Sequence, residues 1–130
     1  MTRVAGGGRG LAGLRVLVVE DDPLIAMEVE ELLRAEGCDV VGPAYNVAGA
    51  LALAERERLD AALLDVNLAG ELVFPVAQAL ARRSVPFVFV TASGVGALDP
   101  AYTGHPIIAK PFAPDCFAAE VAAALEPDAA

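Results

Sequence analysis

Acidic residues follow two short apolar runs of this chain, and a lysine follows a third. Glu20-Asp21-Asp22 follows residues 16–19, Asp65 follows residues 61–64, and Lys110 follows residues 107–109. Each run is short enough to be a buried strand, and the carboxyl ends of parallel strands meet at one edge of a sheet. Carboxylates and an ammonium at one edge make a site for a hard divalent cation and a phosphoryl group.

Length, composition and charge limit the function classes. The 130 residues suit one domain with one core. The hydrophobic content is 56%, but no apolar run approaches the roughly 18–20 residues that span a bilayer. The net charge of −9 argues against binding to nucleic acid or to anionic membranes, because their phosphate groups repel such a surface.

Cysteine usage and the N-terminus indicate a cytoplasmic protein. Cys38 and Cys116 lack metal-type spacing, so we interpret them as small apolar residues in a reducing compartment. No apolar segment of the signal-peptide kind is present at the N-terminus. Residues 1–13 are rich in glycine and predict a flexible leader, residues 14–126 a single folded domain, and residues 127–130 a short tail.

Strand and helix patterns alternate from Leu14 onward. Asp22-Pro23 predicts a helix N-cap followed by proline at the first helical position, Gly37 a residue just beyond a helix, and Asn46 a second N-cap. The predicted strands are residues 15–20, 38–42, 60–65, 85–91 and 106–109. The first predicted helix starts at Pro23 and ends before Gly37. The other predicted helices are residues 46–58, 71–83 and 114–126, and any helix within residues 94–105 is expected to be short. This alternation predicts an α/β fold with a parallel sheet and helices on both faces.

Four ordered motifs resemble the receiver domain of response regulators in two-component signalling. They are Val-Leu-Val-Val-Glu-Asp-Asp-Pro at 16–23, Leu-Leu-Asp-Val-Asn-Leu at 63–68, Phe-Val-Thr-Ala at 89–92 and Lys-Pro-Phe at 110–112. The resemblance covers about residues 14–126. It implies a CheY-like, three-layer flavodoxin-like (βα)5 sandwich with a parallel five-stranded sheet of order 2-1-3-4-5.

The resemblance also assigns roles to individual residues. It implies that Asp65 accepts a phosphoryl group from a phosphohistidine. It also implies that Lys110 pairs with Asp65 and then, together with Thr91, contacts the phosphoryl oxygens. It implies Mg²⁺ bound by Glu20, Asp21, Asp65 and the backbone carbonyl of Asn67. Asp22 is expected to be a helix cap and not a ligand. A cis peptide bond is expected at Lys110-Pro111.

Ile107 departs from the family pattern, which usually has an aromatic residue at this position. The change fits a subgroup of stand-alone receivers with a Phe-Ala-Thr-Gly motif, although Val90 and Ala92 replace its alanine and glycine. We therefore expect the glycine-rich segment 94–104 to become ordered on phosphorylation. His105 is expected in a surface loop without a special role.

The resemblance implies a single-domain phosphorelay regulator and not an enzyme that turns over a separate substrate. Its expected partners are a histidine kinase or phosphotransfer protein and a downstream protein, and it is expected to be a monomer or weak homodimer. One alternative is a pseudo-receiver that binds partners without phosphorylation. Another is a small Mg²⁺-dependent phosphohydrolase of the haloacid-dehalogenase type. That family places a second aspartate where this chain has Asn67 and usually has a cap domain.

Overall fold

The computed structural model describes residues 10–92, 99–102 and 104–125. Five parallel strands form the main sheet: β1 Arg15–Val19, β2 Asp39–Ala44, β3 Ala61–Leu64, β6 Phe87–Thr91 and β7 Ile107–Ala109. Two further strands, β4 Asn67–Leu68 and β5 Glu71–Leu72, form a small antiparallel hairpin. The α-helices are α1 Pro23–Ala35, α2 Val47–Arg56, α3 Phe74–Arg82 and α4 Pro114–Leu125, and Pro100–Tyr102 form one 3-10 turn.

The main sheet has the order β2-β1-β3-β6-β7, so its five strands follow the predicted order 2-1-3-4-5. The strand order reverses at β1, which lies between β2 and β3. Val19 at the end of β1 is in register with Leu64 at the end of β3. The residues after these two strands therefore lie side by side at the carboxyl edge, where open α/β sheets bind their ligands.

Helices cover both faces of the sheet and give three layers. On one face, Leu17, Val19 and Leu64 belong to a buried cluster that also includes residues of α2 and α3. On the other face, Val16 and Val18 belong to a cluster with residues of α1 and α4. Neighbouring β1 residues thus enter opposite cores, because strand side chains alternate between faces. This double burial explains why β1 reads as a continuous apolar run.

Local capping signals place α1 and α2 as predicted. The Asp22 carboxylate accepts hydrogen bonds from the backbone N–H groups of Leu24 at 2.9 Å and Ile25 at 3.4 Å. Asn46 Oδ1 accepts one from Gly49 N at 2.8 Å. Both caps satisfy N–H groups that have no partner within the helix. Their positions fix where the chain leaves the carboxyl edge of the sheet after β1 and β2.

Several element boundaries differ from the predictions by one to three residues. The third helix begins at Phe74 and not at residue 71, because residues 67–72 form the hairpin and Val73 N–H donates to the Val66 carbonyl at 2.9 Å. The second strand extends to Ala44, and α2 ends at Arg56. The hairpin therefore occupies the chain between β3 and α3, beside the predicted site.

The ordered structure begins before the expected boundary at Leu14. Leu11 is 2% exposed and belongs to the core between α1 and the sheet, and Gly13 N–H donates to the Gly37 carbonyl at 2.9 Å. The last three residues of the expected leader thus pack against the domain. The predictions for residues 1–9, for 93–98 and for 126–130 fall outside the described residues. Within the described part, no helix has the length and apolarity to cross a membrane.

Candidate functional site

Glu20, Asp21 and Asp65 come together at the carboxyl edge of the sheet. Backbone hydrogen bonds continue the ladder just past the strand ends, from Glu20 N–H to the Ala44 carbonyl and from Asp65 N–H to the Val19 carbonyl, both at 2.9 Å. One carboxylate oxygen from each of the three acids lies within 4.8 Å of the others. Glu20 is 4% exposed and Asp65 is 7% exposed. Three carboxylates so close together repel one another unless a cation lies between or beside them.

Lys110 supplies a positive charge to this cluster. Its Nζ donates to Glu20 Oε1 at 2.7 Å and to Asp65 Oδ2 at 3.1 Å. The backbone holds the lysine in place, because Ala109 is in register with Thr91 and Lys110 N–H donates to the Thr91 carbonyl at 3.1 Å. The Lys110-Pro111 peptide bond is cis, as expected, and so is Gly42-Pro43. The contact with Asp65 was expected from the family resemblance, whereas the shorter contact with Glu20 was not.

Burial and charge set the protonation of this pair. Burial raises the pKa of Glu20 to about 7, against the opposing effects of its hydrogen bonds from Lys110 and from the Asp22 backbone. Burial would lower the pKa of Lys110, but the hydrogen bond with Glu20 and the charge of Asp65 outweigh it, and the net shift is upward. Lys110 therefore keeps its charge. A divalent cation beside Glu20 would favour the ionised carboxylate.

The hairpin turn contacts Asp21 directly. Ala69 N–H donates to Asp21 Oδ2 at 2.9 Å, and Gly70 N–H donates to Asn67 Oδ1 at 2.8 Å. The Asn67 side chain thus contacts the turn, which is consistent with the expected metal ligand at this position being its backbone carbonyl. Sequence reasoning missed the link between Ala69 and Asp21, although the two residues that form the turn, Ala69-Gly70, lie only a few residues after Asp65.

The donor chemistry of the cluster suits Mg²⁺. Carboxylate oxygens are hard ligands, and Mg²⁺ in proteins is held by one or two carboxylates together with water and phosphate oxygens. Glu20, Asp21 and Asp65 offer such oxygens within one small volume. Asp22, by contrast, uses its carboxylate to cap α1, while its backbone N–H donates to Glu20 Oε2 at 3.0 Å. Asp22 therefore contributes to the site through its backbone hydrogen bond to Glu20.

Thr91 is the last residue of β6 and lies at the same carboxyl edge of the sheet as the acids. It is 1% exposed, and the next residue, Ala92, is exposed and small. Ile107, at the position where the family usually has an aromatic residue, is partly buried and is in register with Phe89. Thr91 and Lys110 thus reach the same edge from adjacent strands, as the resemblance implies.

His105 lies in the loop before β7, as expected, and it is partly buried by aromatic contacts. Its ring stacks on Phe87 with centroids 4.3 Å apart, and its Nε2 lies 2.7 Å from the Phe87 carbonyl oxygen. Tyr102 extends this aromatic group by stacking on Phe74 of α3 at 5.4 Å and by meeting Phe89 edge-on at 5.6 Å. The chain just before β7 is therefore packed against β6 and α3.

Comparisons with known proteins agree with this arrangement. The family model described as "Response regulator receiver domain" matches residues 16–122. The chain is 35% identical to the phyllosphere-induced regulator PhyR of Methylorubrum extorquens, over 91% of this chain and 47% of PhyR. It is 38% identical to the transcriptional regulatory protein PdtaR of Mycobacterium tuberculosis, over 60% of this chain and 38% of PdtaR. The chain thus spans less than half the length of these two curated relatives.

A solved structure matches most of this chain over its own full length. The BeF3-activated conformation of SdrG from Pseudomonas melonis Fr1 aligns with a TM-score of 0.74 and 44% identity, and it covers 89% of this chain and 100% of that one. The span of the family model, residues 16–122, includes the three acids, Thr91 and Lys110. From the family match, the shared strand order and the likeness to SdrG, we conclude that this chain belongs to the response regulator receiver domain family.

Proposed function

We propose that this receiver domain is a Mg²⁺-dependent phosphoacceptor of a bacterial two-component phosphorelay. Asp65 takes a phosphoryl group from the phosphohistidine of a histidine kinase or phosphotransfer protein. The domain then acts through a downstream protein partner. The position of Asp65, at a buried strand end within reach of two acids and one ammonium, is the observation that carries this proposal.

Asp65 is suited to be the nucleophile. One of its oxygens attacks the phosphorus while the phosphorus–nitrogen bond of phosphohistidine breaks, and the imidazole keeps that electron pair and takes a proton. Phosphoryl transfer depends mainly on in-line positioning and on charge stabilisation. Lys110 holds Asp65 Oδ2 at 3.1 Å, which restrains the carboxylate and leaves its other oxygen for the attack.

Lys110 and Thr91 are the groups that would bind the transferred phosphoryl oxygens. Lys110 has three N–H donors, and two of them contact Glu20 and Asp65 in this structure. When a phosphoryl group arrives on Asp65, its negative oxygens compete with Glu20 for the ammonium. The Thr91 side chain lies at the end of the neighbouring strand, where its hydroxyl would donate to another oxygen.

Glu20, Asp21, Asp65 and the Asn67 backbone carbonyl would hold Mg²⁺. When bound, the ion supplies positive charge that stabilises the phosphoryl oxygens. Asp21 is half-buried and offers a direct ligand, and Glu20 would act through water because its two oxygens already accept hydrogen bonds from Lys110 and Asp22. SdrG, which this chain resembles, has a BeF3-activated conformation, and BeF3 imitates a phosphoryl group on a carboxylate.

A docking surface for the phosphodonor would adjoin Lys110. A cavity of about 330 Å³ lies beside it and is lined by Ile25 and Glu28 of α1, and by Ala92, Pro111 and Phe112. Leu24 at the start of α1 is 73% exposed, and Met27 on the next turn is 47% exposed. Exposed apolar side chains close to a charged site favour a protein partner over a free metabolite.

The test is phosphorylation of the purified protein by acetyl phosphate with Mg²⁺, measured by intact mass. We expect one phosphoryl group on the wild type and on Asp39→Asn, a control at the opposite edge of the sheet, and none on Asp65→Asn. We also expect that chelating Mg²⁺ abolishes the adduct on the wild type.

Two results would contradict the proposal. A phosphoryl group that persists on Asp65→Asn would show that another residue is the acceptor. The absence of any adduct on a folded wild-type protein with Mg²⁺ bound, after incubation with acetyl phosphate and with a phosphorylated histidine kinase, would favour a phosphorylation-independent interaction module.

A further inference from the structure

The hairpin β4–β5 is tied to the candidate metal site through two consecutive backbone N–H groups. Ala69 and Gly70 form its two-residue turn, and their φ angles are +53° and +96°. Two positive φ values are typical of the type I′ turn, which matches the twist of paired strands. Ala69 N–H donates to Asp21, 48 residues away in sequence, while Gly70 N–H donates to the Asn67 side chain.

The conformation at Ala69 needs support. Alanine seldom adopts a positive φ, because its Cβ then crowds the backbone, so the turn is not the intrinsic preference of this residue. The hydrogen bond from Gly70 N–H to Asn67 Oδ1, at 2.8 Å, holds the turn in place. This conformation of the turn brings Ala69 N–H to 2.9 Å from Asp21 Oδ2, to which it donates a hydrogen bond.

This contact leaves one Asp21 oxygen engaged and one available. A backbone hydrogen bond to Oδ2 restrains the rotamer of a carboxylate and so narrows the directions in which its second oxygen can point. Partners that orient a metal ligand in this way contribute to metal affinity although they do not touch the metal. The Asn67 side chain thus stabilises the turn, and the turn orients Asp21.

Resting on the proposed function, we propose that the Asn67 side chain is a positioning residue that orients Asp21 for Mg²⁺ through the Ala69-Gly70 turn. This role is separate from that of the Asn67 backbone carbonyl, which every substitution retains. The side chain thus limits the range of residues that this position tolerates.

The experiment compares Asn67→Ala with Asn46→Ala. Asn46 is a close match, because its Oδ1 also accepts a hydrogen bond at 2.8 Å from the N–H of a glycine three residues ahead, in this case Gly49 at the start of α2. The first readout, without metal, is amide hydrogen exchange by NMR. We expect the Ala69 and Gly70 amides to exchange faster in Asn67→Ala and at the wild-type rate in Asn46→Ala.

The second readout is the Mg²⁺ dissociation constant from titration. We expect it to rise about tenfold in Asn67→Ala, as is usual when a group behind a metal ligand is removed. Asn46→Ala should keep the wild-type value. Asn67→Asp retains an oxygen acceptor for Gly70 N–H, so the metal-free protection of both turn amides should return in that variant.

Different results separate the two proposals. Equal Mg²⁺ affinity in the wild type and a folded Asn67→Ala would overturn this inference alone, as would unchanged exchange of the Ala69 amide. A wild-type protein that binds no Mg²⁺ would overturn the proposed function, and the positioning role would fall with it. If Asn67→Ala does not fold, Asn67→Leu, which has a similar shape but no acceptor for Gly70 N–H, takes its place with the same expected outcomes.

Discussion

Glu20 is the residue at which burial and charge compete most directly. It is 4% exposed, it accepts hydrogen bonds from Lys110 and Asp22, and its pKa is raised to about 7 because the cost of burial prevails. A buried acid that is only partly compensated has a strong preference for an additional cation. At the scale of single residues, the site is thus organised to receive positive charge.

Asp22 offers a test of whether the α1 cap and the metal site are independent. Asp22→Ala removes the α1 cap and should lower the free energy of unfolding by about 1 kcal/mol, whereas Asp22→Asn keeps a capping oxygen and should change it little. Chemical denaturation measures both. The Mg²⁺ dissociation constant should be equal in the two variants, because each loses the same charge. A much weaker affinity in Asp22→Ala alone would mean that the cap also orders the metal ligands.

Sequence reasoning reached the residues of the site but not all of their contacts. Asp65 and Glu20 were placed at one edge because both follow buried parallel strands, and that inference needs only the fold. The contact of Lys110 Nζ with Glu20 at 2.7 Å depends on side-chain rotamers and on which acid lies nearer. Neither is encoded in the local pattern, so this contact could not be predicted.

At the scale of elements, α1 and α3 end in the same backbone conformation but place different residues in it. Both helices end with the two hydrogen bonds of a Schellman motif, from Gly37 and Cys38 in α1 and from Ser84 and Val85 in α3. Gly37 has a φ of +87°, which glycine adopts freely, whereas Ser84 has a φ of +60°. Serine at such a position carries a steric cost of about 1–2 kcal/mol.

Replacement of Ser84 should therefore stabilise the protein. Ser84→Gly removes that steric cost but adds about 0.4–1 kcal/mol of unfolded-state entropy, so the expected gain in unfolding free energy is about 0.5–1 kcal/mol. Gly37→Ala should do the reverse, since its new Cβ would also lie 3.2 Å from Ala12 Cβ. Thermal and urea unfolding of both variants provide the measurement. A destabilised Ser84→Gly would show that the serine side chain makes a compensating contact.

The element that sequence patterns failed to predict is the β4–β5 hairpin. Its strands have two residues each, which is too short for any periodicity to be visible. The segment was assigned instead to the start of the third helix, because Val73, Val76, Ala77 and Leu80 do share a buried face. Pro75 in the first turn of α3 was the local signal for a later helix start.

At the scale of the whole molecule, Mg²⁺ should stabilise the fold. A ligand that binds only the folded state adds about 2.7 kcal/mol to the free energy of unfolding when its concentration is 100 times the dissociation constant. We expect MgCl₂ to raise the thermal midpoint of the wild type. We expect no comparable rise in Asp21→Asn, which keeps the shape of the side chain but loses its charge.

Salt alone must be excluded, because the chain carries a net charge of −9 and screening also reduces repulsion in the folded state. NaCl at the same ionic strength is therefore the matched control. Equal stabilisation of the wild type by NaCl and MgCl₂, or equal effects of MgCl₂ on the wild type and Asp21→Asn, would argue against a specific site.

The burial of Leu11 decides where this domain can be cut or joined. Its side chain lies in the core next to α1, and Gly13 N–H donates a hydrogen bond to the carbonyl of Gly37, just beyond the end of this helix. Loss of one buried leucine costs about 2–5 kcal/mol, a large part of the 5–15 kcal/mol by which a typical domain is stable. A protease cut after Gly13, or a fusion partner attached there, would consequently remove a large part of the domain's stability. A junction placed before Gly10 keeps Leu11 and Gly13 in their contacts with the domain.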